Sequence, residues 1–188
     1  MNEKLDELRE QAWKYLDSKR VPHVAGCEKE AVRLAEFWGE NTEDAAIAGM
    51  LHDCTKRLPY KEHVRIIQES GIPCEKSLLL EKKLLHAVSG AVVAKRDFNV
   101  SDKIFEAIRW HTTGKPEMTL FEKIIYLADY IEETRDFDGV DKLRELAYKN
   151  IDDAMALGLA MSVEVIRERG LEPYIDSLLA YEYYMRKE

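Results

Sequence analysis

Apolar positions recur every three to four residues along almost the whole chain, the spacing of helices that each bury one face. Leu5, Leu8, Ala12, Tyr15 and Leu16 mark the first such face. Val24, Cys27, Ala31, Leu34, Ala35 and Trp38 mark a second, which Gly39 closes. Thr42, followed by Glu43 and Asp44, reads as the N-cap of a third helix reaching about Asp53. Leu58-Pro59 breaks the pattern, and a short helix over 60–70 then ends at Gly71 and Pro73. One long helix is expected over 78–98, with Gly90 its weak point. Ser101 caps the next, which carries Ile104, Ile108 and His111 and gives way to the loop Thr112-Thr113-Gly114-Lys115-Pro116. Thr119 and Glu122 have capping-box spacing ahead of a helix over 120–132. Three more helices fit 140–148, 150–168 and 174–186. No stretch alternates with the period of a strand, and no linker or repeat interrupts the chain. The expected fold is all-α, in one domain.

Composition narrows the class. With 188 residues, 46% hydrophobic and 34% charged, the chain can bury an ordinary core without staples. No run approaches the roughly 20 apolar residues of a membrane span. Residues 1–7 are charged and lack the apolar stretch of a secretory leader. The three cysteines, Cys27, Cys54 and Cys74, have unrelated spacings that suit a reducing compartment better than a disulfide framework. A cytoplasmic protein is expected. The net charge of −8, without a dense basic run, argues against nucleic acid as a partner. A small phosphorylated ligand stays open, because a metal and a few local cations can reverse the field in one pocket.

Five histidines are present. His63 lies in a charged stretch and is expected at the surface. His23, His52, His86 and His111 fall on four different helices, near an end or along a face. Asp53 follows His52, and Asp129 interrupts the apolar run Ile124-Ile125-Tyr126-Leu127-Ala128. A carboxylate buried in such a helix requires a metal, a cation or donors, unless it faces solvent or pairs with an arginine. A single histidine on a helical face is most often a hydrogen-bonded core residue. Together, however, imidazole and carboxylate are the ligand types of iron, manganese, cobalt and zinc, and helical bundles set such sites between facing helices. Neighbours on a helix point about 100° apart, so His52 and Asp53 converge only at a helix end, which Lys56-Arg57-Leu58-Pro59 supplies.

These residues resemble a known family. His23, His52-Asp53 and Asp129 are similar to the H…HD…D signature of HD-superfamily phosphohydrolases. Leu51-His52-Asp53-Cys54-Thr55-Lys56, Arg109 to Thr119, Glu122 to Glu132 and Arg135 to Asp141 together resemble one subgroup, the YqeK family of symmetrical diadenosine tetraphosphate hydrolases. The resemblance runs from about His23 to Ile166. It implies one HD-type domain over 1–188, a helical bundle with its metal site between helices. The HD core would occupy about 20–135, and C-terminal helices over 140–188 would complete the bundle and the substrate pocket. It further implies His23, His52, Asp53 and Asp129 as ligands of a divalent metal, iron by the family habit, with one or two ions held. His86 and His111 would bind either a second metal or substrate phosphate. Asp53, Lys56, His86 and His111 would serve catalysis, and Lys56, His86, His111, Thr112 and Arg135 would hold the substrate.

Local alternatives stand beside each role. Lys56 also suits a helix-end lysine opposing the dipole, Arg135 a partner for Glu132, Asp136 or Asp138, and Thr112 with Gly114 a plain turn. Where the family has Pro-Asp-Thr and then Tyr-Asn, this chain has Ile175-Asp176-Ser177 and Tyr181-Glu182, which leaves base recognition open. The implied reaction is metal-assisted attack of water on a phosphorus, yielding ADP, with cationic Lys56, Arg135 and an imidazolium of His86 or His111 facing the developing charge. Hydrolysis of another nucleotide and a non-catalytic nucleotide or metal sensor are the alternatives. The oligomeric state is open, a homodimer included.

Overall fold

A computed structural model describes residues 3–186; the first residues of the charged 1–7 stretch lie outside the described residues. Among the described residues there are eleven helices and no strand, the expected all-α class. They are α1 (Glu3–Trp13), α2 (Val21–Trp38), α3 (Thr42–Leu51), α4 (Tyr60–Ser70), α5 (Lys76–Leu80), α6 (Leu85–Phe98), α7 (Asp102–Trp110), α8 (Leu120–Ile131), α9 (Val140–Ala147), α10 (Ile151–Glu168) and α11 (Ile175–Met185).

Helix α2 lies against both α3 and α8, while α7 bridges α6 to α8, and α4 covers α6. The apolar stripe of α2, with Cys27, Ala31 and Leu34 fully buried, meets Leu51 of α3 and Ile124 and Leu127 of α8 in one core. Each such leucine or isoleucine contributes roughly 1.5–3 kcal/mol by leaving water. Helices α9 and α10 pack on α8, and α11 packs on α10. Start signals act as expected at Ser101, whose side chain accepts from the Ile104 N–H, and at Thr119, where both halves of the capping box with Glu122 form.

Two boundaries differ from the expectation. The N-cap of α3 is Asn41, whose extended backbone lets its side chain accept from the Asp44 N–H at 2.9 Å; Thr42 is already helical. The single helix expected over 78–98 is two helices, with a turn at 81–84 closed by the Leu84 N–H to the Glu81 carbonyl. The cause is burial. Every residue from Leu85 to Ala94 is inside, whereas no residue of α5 is, and the bend lets α6 bury its full circumference. Gly90 is no weak point there. A methyl group on it would meet the His52 carbonyl at 3.3 Å and the Thr55 hydroxyl at 3.5 Å, so its lack of a side chain lets α6 pass close to the turn after α3.

His63 also departs from expectation, for it is buried under α6. Its Nδ1 lies 2.7 Å from the Ser89 hydroxyl, which meets the Thr55 hydroxyl at 2.9 Å, and Thr55 donates to the His86 carbonyl. The polar residues around it in sequence face outward while this one face turns in.

Candidate metal centre

The four expected histidines converge, and three use one local device. His52 and His111 stand at the C-termini of α3 and α7, where helix carbonyls lose their partners. Each ring donates Nδ1–H to the carbonyl three residues back, His52 to Gly49 and His111 to Ile108, both at 2.7 Å. His86, in the first turn of α6, does the same to Lys83 at 2.8 Å. His23, in the first turn of α2, instead directs Nδ1 to Glu132 Oε1 at 3.0 Å. With every Nδ1 engaged, all four Nε2 atoms point inward.

They surround Asp53, whose carboxylate is fully buried and divides the donors into two sets. Around Oδ2, His52 Nε2 lies at 3.5 Å and His23 Nε2 at 3.9 Å. Asp129 Oδ1 completes that set, 3.0 Å from His23 Nε2 and 3.7 Å from His52 Nε2. Around Oδ1, His86 Nε2 lies at 3.3 Å and His111 Nε2 at 3.8 Å. The turn ending α3 at His52 supplies the bend that adjacent residues need to face one centre.

Burial and neighbouring charges shift these groups, His52 well above the ordinary imidazole value against its burial through Cys27 and Asp53. Burial opposes the charge on Asp53, but His52, Lys56 and His86 hold its carboxyl well below the usual range. Asp129 is likewise ionised against burial, by the His23 hydrogen bond and then by His52, His111 and Arg135. Burial, followed by the neighbouring His111 and Lys56, holds His86 well below the ordinary imidazole value. Burial and His52 push His111 down to about 4. Both shifts favour the neutral imidazole, the form that offers a lone pair.

This donor set suits a cation. His23 and His52 bring two Nε2 atoms within 3.3 Å of each other, an arrangement that a positive ion between them relieves. Asp53 Oδ1 is a buried oxygen with no hydrogen-bond partner among the described residues. Two overlapping groups, His23–His52–Asp129 and His52–Asp53–His111, have their ligand atoms within 4.8 Å of one another. Nitrogen and carboxylate donors of this kind fit first-row divalent ions.

A model of the HD domain matches residues 20–134, which hold every one of these side chains. The chain belongs to the HD-domain family. Relatives of this HD protein include the symmetrical bis(5'-nucleosyl)-tetraphosphatase of Bacillus subtilis (strain 168), 36% identical over 171 residues, covering 89% of this chain and 90% of that one. The protein of that name from Halalkalibacterium halodurans is 33% identical, with 93% of each chain covered. Among solved structures, a predicted HD superfamily hydrolase involved in NAD metabolism from Clostridium acetobutylicum superposes with a TM-score of 0.92, at 34% identity over 97% of each chain. An HD domain implies a divalent metal, in keeping with the donors found.

The remaining expected residues lie around this HD centre. Lys56 places Nζ 2.8 Å from His86 Nε2 and 3.5 Å from Asp53 Oδ1. Arg135 donates to the Asp129 backbone carbonyl at 2.8 Å and to its carboxylate at 2.6 Å. It meets Asp129, with Glu132 at 3.7 Å, rather than the aspartates next to it in sequence. Thr112 and Thr113 line a cavity of about 470 Å³ with Arg109, Trp110, Tyr174 and Asp176. In the stretch that departs from the family pattern, Asp176, the residue it keeps, lines this cavity, while the exchanged Glu182 lines a different one.

Two residues of the centre escaped sequence reasoning. Arg20, just before α2, donates Nε–H to Asp53 Oδ2 at 2.6 Å and also reaches it through its terminal nitrogen. Glu132 is fully buried and accepts from His23, from the Thr134 hydroxyl at 2.5 Å and from the Thr134 N–H at 2.7 Å. It fits because Gly26, one turn on from His23, leaves room for its carboxylate. A signal for Glu132 existed. An acidic residue at the C-terminus of α8 opposes the helix dipole, so some local donor has to hold it.

Proposed function

We propose that this chain is a metal-dependent hydrolase that cuts diadenosine tetraphosphate symmetrically into two molecules of ADP. The observation that carries the reading is the Asp53 carboxylate, ionised and buried between two sets of inward-facing imidazoles. On this reading His23, His52, Asp53 and Asp129 would hold one divalent cation, and His86 and His111 would hold a second or the substrate phosphates. Iron is the proposed metal, with manganese, cobalt and zinc suited to the same donors. A cation held there supplies Lewis-acid polarisation of a phosphoryl oxygen and an activated water at neutral pH.

The chain's own groups do the rest. Lys56 brings an ammonium to the edge of the centre, where it faces charge building on the phosphoryl oxygens. Arg135 fixes Asp129 from behind and is partly exposed, with nitrogens left to meet phosphate. Thr112 offers a hydroxyl at the mouth of the 470 Å³ cavity. That cavity, with Trp110 and Asp176, takes a nucleoside. Tyr174 and Asp176 come from the C-terminal segment, which supports one domain over 1–188 whose last helices finish the pocket of an HD core over about 20–135. The three free cysteines fit work in the reducing cytoplasm.

Product identification tests the reading, alongside elemental analysis of the purified protein. Diadenosine tetraphosphate is expected to give ADP alone. ATP plus AMP, or no turnover with Fe²⁺, Mn²⁺ or Co²⁺ supplied, would overturn it. So would an Asp129→Ala protein that keeps full activity and metal content.

A further inference from the structure

A second cavity, of about 430 Å³, meets the centre at Lys56 and His86 and is walled further by Tyr60, His63, Lys82 and Lys83. No carboxylate lines it among the described residues. Lys82 and Lys83 are exposed, and neither has an ion pair among the described residues; Lys82 Nζ stands 5.6 Å above the centre of the Tyr60 ring. In a chain of net charge −8, three ammonium groups around one hollow are a local reversal of field. Low-dielectric walls concentrate such a field and draw anions to it.

The turn at 81–84 creates the arrangement. It turns Lys82 and Lys83 into this cavity and Leu84 into the one shared with Trp110 and Asp176. The two cavities also approach neighbouring imidazoles, one walled by His86 and the other by Thr112 and Thr113, next after His111. The Nε2 atoms of His86 and His111 lie 3.3 Å apart. One reactive centre therefore sits between two hollows of unlike chemistry. One sets Trp110 and Tyr174 beside Thr112, Thr113, Arg109 and Asp176, fit for a base, and the other gathers three lysines around the single ring of Tyr60, fit for phosphate.

A symmetrical dinucleotide cut in its middle has two halves to place, and the cavity at Trp110 is proposed for one of them. We infer that the Lys56–Lys82–Lys83 cavity binds the phosphates of the second nucleotide half, so that the polyphosphate chain crosses the centre from one cavity to the other. This inference rests on the proposed function.

The test replaces Lys82 and Lys83 together by glutamine. A charge-matched Lys142→Gln, Lys149→Gln protein, altered well away in α9 and the turn after it, serves as control. The Lys82/Lys83 variant is expected to raise KM for diadenosine tetraphosphate about tenfold while kcat stays within twofold and ADP remains the product; the control should match the unaltered protein. Calorimetric titration of the metal-loaded protein with inorganic tripolyphosphate, with metal content measured before and after, gives a readout independent of turnover. The unaltered protein should bind it, and the variant about tenfold more weakly. An unchanged KM, unchanged tripolyphosphate affinity, or a control that weakens as much as the variant would overturn the subsite. If the unaltered protein binds tripolyphosphate through these lysines but cleaves no dinucleoside tetraphosphate, the phosphate site stands and the proposed substrate falls.

Discussion

Glu132 holds His23 from behind, its Oε1 3.0 Å from the ring nitrogen opposite the one that faces Asp129. The pair spans the chain from α2 to the end of α8, and the glutamate is wholly inside the protein. Such a carboxylate fixes the tautomer of the imidazole and strengthens it as a donor.

Glu132→Gln keeps the size that Gly26 accommodates but removes the charge. Metal affinity is expected to fall about 10- to 100-fold, measured by competition with a chelating dye. Unchanged affinity would show that Glu132 serves only the Thr134 turn.

Lys56 is bonded to His86 but is exposed enough to meet a substrate. Lys56→Gln should lower kcat by about 100-fold, the usual effect of removing one donor aimed at developing charge. Metal content should stay the same. Loss of metal alongside activity would recast Lys56 as a support for His86.

Asp53 carries the orphaned buried oxygen and bridges both donor sets. Loading the protein with Mn²⁺ at about 100 times its Kd should add about 2.7 kcal/mol of stability, read as a rise in Tm. In Asp53→Asn that rise should disappear together with the bound metal. A variant that still gains stability would place the cation elsewhere.

His63 gives the pH dependence. Burial, with Lys56 adding to it, holds its imidazole below the ordinary 6.5. An unfolded His63 therefore takes up a proton at a pH where the folded one does not, so its contribution to stability is complete above pH 6.5. That contribution is lost as pH falls through the lower folded value. In urea titrations, the gap between the unaltered protein and His63→Gln should narrow below pH 6.5. Parallel curves from pH 7.5 to 5 would exclude the effect.

Most of the architecture is written in local sequence. Periodicity and caps place the helices, as at Ser101 and the Thr119–Glu122 box, because those signals depend only on a few neighbouring residues. The bend at 81–84 has no glycine or proline to announce it, since burial of the whole of α6 imposes it from outside. His63 misled for the same reason. Its surroundings in sequence are charged, and only Ser89, 26 residues away, reveals that it faces inward. Around the centre, the histidines and aspartates were legible as types and through family words. Arg20 was not, because nothing local distinguishes an arginine aimed at Asp53 from one in solvent.

The histidine device at the helix ends has a consequence for assembly. His52, His86 and His111 each borrow a main-chain carbonyl from the turn they adjoin, so a ring is aimed only while that turn is wound. The donors lie in segments spread from α2 to α8, and no short piece of chain holds the set. Metal uptake should therefore come late in refolding, after those helices have docked. Stopped-flow mixing with a coloured cation would then report the last step of folding rather than the first.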